Sequence, residues 1–194
     1  MADAPLIGVL SLQGDFQAHE LMLRRIGALT RQVRVPGDLE GIDGLVVPGG
    51  ESTTITLGIE RDGLAEPLRR LAAEGTPILG SCAGMIMLDR DHLALMDVRM
   101  ARNAFGRQVH SFEADVEVAG LAGGPVRGVF IRAPWIAEHG PSVEILAELE
   151  GHPVAAREGR MMGVSFHTEL GSDDRVHRLF LGLVDDGGRP GERT

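Results

Sequence analysis

The chain has 194 residues, 43% of them hydrophobic and 24% charged, a composition that suits one domain with its own core. Its net charge of −9 argues against a general nucleic-acid role, because phosphate contacts need clustered Lys and Arg. Its single cysteine excludes an internal disulfide and fits a reducing compartment.

In chain order, "LIGVLSL" (Leu6 to Leu12) is a continuous apolar run that suits a central parallel strand covered on both faces. No basic region precedes it, so no signal peptide is expected. No apolar run approaches the roughly 18 residues of a membrane span, and a cytoplasmic protein is expected. Phe16, Leu21, Leu23 and Ile26 then recur at helical spacing between a candidate N-cap, Asp15, and a candidate C-cap, Gly27. "TRQVRV" reads as a second strand and "GLVVPGG" as a third that runs into a Gly-rich turn. "GLAEPLRRLAAEG" is an amphipathic helix, "TPILG" a fourth strand, and "AGMIMLD" the start of another helix. This alternation predicts a doubly wound α/β architecture: a mostly parallel sheet flanked by helices.

The second half differs. "GRQVHSFEADVEV", "VRGVFIRA", "VEILAEL", "HPVAARE" and "MMGVSF" read as successive strands with turns between, which adds antiparallel strands to the sheet system. "SDDRVHRLFLGLVDD" closes the pattern as a helix with Val176, Phe180, Leu183 and Val184 inward, and a frayed tail is expected from about residue 187. No linker interrupts this order, so residues 1–194 read as a single domain.

The chemistry concentrates at "GSCAGM", where Cys82 stands between a short buried strand and a helix. A cysteine there is either a packed core thiol or a nucleophile. Sites in open parallel sheets form at the carboxyl ends of strands, and a helix N-terminus favours a thiolate. A sharp strand-to-helix turn needs small neighbours, which Gly80 and Gly84 provide, and the Ala83 amide would face a developing oxyanion. Of the seven histidines, His19, His110, His139, His152 and His177 fall in contexts that suggest surface roles, and His92 lies in an irregular stretch. His167 follows an apolar run in "FHTEL", with Glu169 two residues on. A carboxylate there can fix the imidazole tautomer and leave the other nitrogen for Cys82, or the two can form a solvated pair. The glycines of "VVPGGEST" suit an ordinary βα turn or a second oxyanion donor. A P-loop is disfavoured because its Lys is absent. No spacing of His and Cys suggests a metal site, and no cofactor is expected.

In order and spacing, "PGGEST", "GSCAG" and "SFHTEL" resemble a class I, triad-type glutamine amidotransferase. "LSLQGDFQAHE", "PGGESTTI", "RNAFGRQVHSFEAD", "FIRAPWI" and "DDRVHRLF" narrow the resemblance to the glutaminase subunits of pyridoxal 5′-phosphate synthases, over about Leu6 to Phe180. The resemblance implies a nucleophile, Cys82, a proton shuttle, His167, and an orienting Glu169. It also implies oxyanion donors at the Gly50 and Ala83 amides, and glutamine contacts from Gly50, Glu51, Ser52, Arg102, Ile131 and Arg132. The guanidinium groups suit the substrate's α-carboxylate. L-glutamine is the implied substrate. A separate (β/α)₈-barrel synthase subunit is the implied partner, which takes up ammonia to build pyridoxal 5′-phosphate from ribose 5-phosphate and glyceraldehyde 3-phosphate. Two features depart from the family pattern: Thr168 stands where Pro is usual, and Leu88 to Val98 is shorter than in many relatives. The rivals are a glutaminase serving another synthase, against which the RNAFGRQ and FIRAP stretches speak, a non-catalytic module on the same fold, and a cysteine peptidase or deglycase.

Overall fold

The computed structural model describes residues 4–102 and 111–186. The chain opens with β1 (Leu6–Leu10), α1 (Phe16–Arg25), β2 (Leu29–Val33), a short 3-10 turn (Pro36–Leu39) and β3 (Gly44–Val47). It continues with α2 (Ser52–Arg61), α3 (Ala65–Ala73), β4 (Ile78–Ser81) and α4 (Ala83–Leu88). The second half runs β5 (Val98–Ala101), β6 (Ser111–Val116), β7 (Val126–Ile131), β8 (Trp135–His139), β9 (Glu144–Leu149), β10 (His152–Glu158), β11 (Met161–Val164) and α5 (Arg175–Asp185).

Among the described residues, seven strands form one sheet in the order β2-β1-β3-β4-β11-β10-β9. The first five are joined by parallel pairings, and β10 runs antiparallel to both of its neighbours, β11 and β9. Two antiparallel ribbons, β5–β8 and β6–β7, lie outside it. The mostly parallel sheet with extra antiparallel strands is the architecture that the sequence predicts.

The central strands are apolar throughout because both faces are covered: every residue of β3, β4 and β11 is buried. Leu45, Val47 and Ile78 pack on one face with Ile55 and Ile59 of α2, Leu68 of α3, and Met85 and Leu88 of α4. Ile7, Val9, Val46, Leu79 and Val164 pack on the other with Leu23 of α1, Phe130 of β7, and Val176, Phe180 and Val184 of α5.

Several details differ from the sequence reading. Leu21 of α1 is 68% exposed, and His19, Met22 and Leu23 face inward instead. Leu183 is only half-buried on α5. Asp15 and Gly27 do flank α1, although the Asp15 side chain makes no cap hydrogen bond and Ile26 is the C-cap. α2 follows the Gly-rich turn in a stretch to which the sequence reading assigns no element, and the Glu51 side chain caps it. The strand expected through Phe166 stops at Val164, where the chain turns away. Residues 106–110 of one expected strand and the tail from 187 lie outside the described residues.

The carboxyl ends of β1, β3, β4 and β11 lie side by side, and each is followed by a residue of the site: Gln13, Gly49, Cys82 and His167. The neighbouring turns touch main chain to main chain. A Cβ on Gly84 would run into the Val47 carbonyl, and one on Gly80 would sit 2.6 Å from the Gly84 oxygen. Gly84→Ala is therefore expected to cost about 3 kcal/mol, the upper end of ordinary overpacking, read as a lower urea midpoint. Gly182→Ala, whose added methyl meets nothing within 4 Å, is the control that should not destabilise.

Candidate functional site

Cys82 sits at the turn between β4 and α4 with φ 50° and ψ −109°, a conformation that costs an L-residue about 1–3 kcal/mol. Surrounding bonds hold it there. Its N–H donates to the Val164 carbonyl at 2.8 Å, and its carbonyl accepts from the Met85 N–H at 3.0 Å. The Sγ lies 3.9 Å from the Ile131 carbonyl oxygen.

His167 is carried past the end of β11 and pinned by a bridge to β7: its N–H donates to the Val129 carbonyl at 2.8 Å. Nδ1 lies 2.6 Å from Glu169 Oε1. A carboxylate only accepts, so Nδ1 carries the proton and Nε2 is left for Cys82, the ring's other side-chain partner. Glu169 is buried, and the Ser81 hydroxyl reaches its second oxygen at 3.4 Å. Burial alone would lower the His167 pKa. The hydrogen bonds and charges of Cys82 and Glu169 outweigh burial and push it up to about 10. Burial would likewise raise Glu169, but the charge of His19 and the bond from His167 hold it far below the usual carboxylate range.

The cleft above Cys82 has a volume of about 550 Å³, within the range of small-molecule sites. Its wall includes Gly50, Glu51, Ser52, Cys82, Ala83, Arg102, Ile131, Arg132 and His167. The structure thus gathers every residue singled out in the sequence except Glu169, which lies outside the cleft lining. The Glu51 carboxylate is engaged at the start of α2. The side chain is turned onto its own helix and accepts from Thr54 N–H and Oγ1 at 2.8 Å each and from Thr53 N–H at 3.1 Å. Those bonds, led by the Thr54 hydroxyl, lower its pKa to about 2. Arg102 contacts the Ser52 hydroxyl at the start of α2. Arg132 has φ 45°, an uncommon left-handed backbone for a side chain of its size.

Four further residues belong to the surroundings of the site, and of these sequence reading missed His19 and His177. Gln13 lines the cleft and accepts from the Glu51 N–H at 2.7 Å. A Cβ on Gly49 would stand 3.1 Å from His167 Nδ1 and 3.3 Å from the Cys82 Cβ, so its bare backbone makes room for both. His19 and His177, read as surface residues, are fully buried because α1 and α5 turn them inward. Their spacing from Leu23 and Phe180 on the apolar helix faces was a usable signal. Among the described residues no cluster of His, Cys, Asp or Glu is arranged to hold a metal ion, and no helix is long and apolar enough to cross a membrane.

A strained cysteine beside a histidine oriented by a carboxylate is the geometry of nucleophilic catalysis. The chain belongs to the SNO glutamine amidotransferase family, whose model matches residues 9–186. It is 52% identical over 190 residues to a protein of Mycolicibacterium vanbaalenii named pyridoxal 5′-phosphate synthase subunit PdxT, covering 92% of this chain and 97% of that one. The protein of that name in Streptomyces coelicolor is 49% identical over 193 residues, covering 95% and 96%. A crystal structure described as a glutamine amidotransferase has a TM-score of 0.87 at 45% identity, over 92% of this chain and 98% of that one. PurLQS from Thermotoga maritima shares the fold, with a TM-score of 0.75 at 17% identity over 93% and 99%.

Two expectations follow. Gly49→Ala should displace the His167 ring and slow alkylation of Cys82 by iodoacetamide about tenfold or more, with an unchanged circular dichroism spectrum. The second concerns pH. The raised His167 contributes stability fully below its ordinary pKa of 6.5, and this is lost as pH rises through about 10. The depressed Glu169 contributes above its ordinary 4.5, and this is lost as pH falls further. The gap in urea midpoint between the native chain and Glu169→Gln should be widest between pH 4.5 and 6.5 and shrink towards pH 10.

Proposed function

We propose that the chain is a glutaminase that releases ammonia from L-glutamine and hands it to a pyridoxal 5′-phosphate synthase barrel subunit. The observation that carries this reading is the line Cys82–His167–Glu169 opening on a cleft lined by Arg102 and Arg132. The PdxT name of its relatives supports the synthase as destination. A single cysteine, with no partner for an internal disulfide, suits work in the cytoplasm.

The Cys82 thiolate adds to the side-chain amide carbon of glutamine, and the resulting oxyanion is met by the backbone N–H groups of Gly50 and Ala83. The protonated His167 gives its proton to the leaving nitrogen. The C–N bond breaks, ammonia departs, and a γ-glutamyl thioester remains on Cys82. Water attacks the thioester while His167 accepts its proton. The C–S bond breaks, glutamate leaves, and the thiolate–imidazolium pair is restored. Glu169 keeps Nδ1 protonated and the ring aimed at the sulfur throughout. The arginines pair with the substrate's α-carboxylate, which fixes which amide reaches the thiolate. Direct transfer to a docked partner is chemically apt, because ammonia released into neutral water becomes ammonium, a poor nucleophile.

The test is glutamate release by the purified chain, alone and mixed with a synthase barrel subunit. Release should rise sharply on mixing. Cys82→Ala should lower it by a factor on the order of 10⁴ or more while leaving the thermal midpoint nearly unchanged. Release that is indifferent to the barrel would keep the glutaminase and reject this partner. Retained release in Cys82→Ala would reject the nucleophile.

A further inference from the structure

The triad carboxylate has a second side. Glu169, His19 and His177 are all buried, and none of them lines the cleft. α1 and α5 pack on the same face of the sheet and bring the two histidines together, with ring centroids 5.1 Å apart and planes tilted by 48°. His19 Nδ1 lies 2.9 Å from His177 Nε2. His19 Nε2 lies 3.4 Å from Glu169 Oε1, the same oxygen that His167 Nδ1 binds at 2.6 Å.

The protons can be assigned by elimination. A bare Nε2 on His19 would set its lone pair against the carboxylate oxygen, so Nε2 carries a proton. Its contact of 3.4 Å is longer than a formed hydrogen bond and within reach of a charge interaction. One proton lies between His19 Nδ1 and His177 Nε2. Burial first, then the charge of His19, pushes the His177 pKa down to about 3, so that ring is neutral. Among the described residues neither His19 Nε2 nor His177 Nδ1 has a hydrogen-bond partner, so the chain of contacts ends at His177.

Neither histidine touches the reacting atoms, and both sit on helices that core packing would hold in place without them. A core position fillable by leucine is instead occupied by a polar ring aimed at the triad. We propose that His19 is a positioning residue: backed by His177, its Nε2–H draws on Glu169 Oε1 and sets how tightly that carboxylate holds the His167 proton. This rests on reading Cys82, His167 and Glu169 as the catalytic line. The titratable and charged groups that face it are Cys82 after β4, His19 and Arg25 on α1, and His177 with Asp174 at α5. Arg25 and Asp174 lie 3.9 Å apart and offset each other. Without His19, the whole carboxylate charge would bear on His167. The imidazolium would become a weaker acid, slower to protonate the leaving nitrogen.

The experiment compares His19→Leu, His19→Gln and His177→Leu with the native chain. The Gln side chain keeps a donor near the place of Nε2. Two readouts are used: kcat and KM for glutamine in the presence of the barrel subunit, and the pH profile of Cys82 alkylation, which needs no substrate. His19→Leu should lose about tenfold in kcat with KM within twofold, and the upper pH step of alkylation should move up by half a unit or more. His19→Gln should recover most of both, and His177→Leu should show a smaller shift in the same direction. Nitrogen-15 NMR of labelled histidines in the native chain should find His19 Nε2 protonated. An unmoved or lowered upper step in folded His19→Leu overturns the proposal. So does a bare His19 Nε2, which can be read even if every His19 variant fails to fold. A native chain that releases no glutamate defeats the glutaminase reading instead, while the alkylation and NMR results still decide the role of His19.

Discussion

No side chain fits between the turn that follows β3 and the turn that follows β4. Gly84 lies against the Val47 carbonyl, and Gly49 lies against His167 and the Cys82 Cβ. This close approach of bare backbone brings three strand ends near enough for one thiol, one imidazole and one cleft to share a space. The strain at Cys82 is tolerated because main-chain bonds to Val164 and Met85 fix the turn from both sides. The electrostatics follow from the same crowding. Close partners outweigh the burial cost on His167, and the buried carboxylate behind it keeps its charge.

What could be read in the sequence was local. The alternation of apolar runs with amphipathic segments is a property of a few residues at a time, so the parallel sheet and α1, α3 and α5 were legible. The cysteine turn was legible for the same reason, since Gly80 and Gly84 lie within two residues of Cys82. α2 was not: "STTITLGIER" is rich in β-branched residues, and its helix rests on a cap from Glu51 that looks like part of a turn. The short strands β5 and β8 pair with each other across a long separation, and neither carries a pattern of its own.

The histidines show where local reading stops. His19 and His177 share apolar helix faces with Leu23 and Phe180, a local sign of burial, but nothing local to either indicates that the two rings will meet. Their contact spans 158 positions in sequence. Only the layering of two helices on one sheet face creates it, so the extension of the site behind Glu169 is a tertiary fact.

The bridge between Val129 and His167 is made by main-chain atoms alone. A tether of that kind takes no account of which side chains the ribbon carries. The outer face of β6 and β7, with Glu113, Asp115 and Arg127 in exposed ion pairs, can therefore drift through many substitutions without moving the imidazole. The ribbon is constrained in its length and register and on its inward side, where Phe130 packs in the core and Ile131 lines the cleft, and it is free to vary on the face it shows to its surroundings.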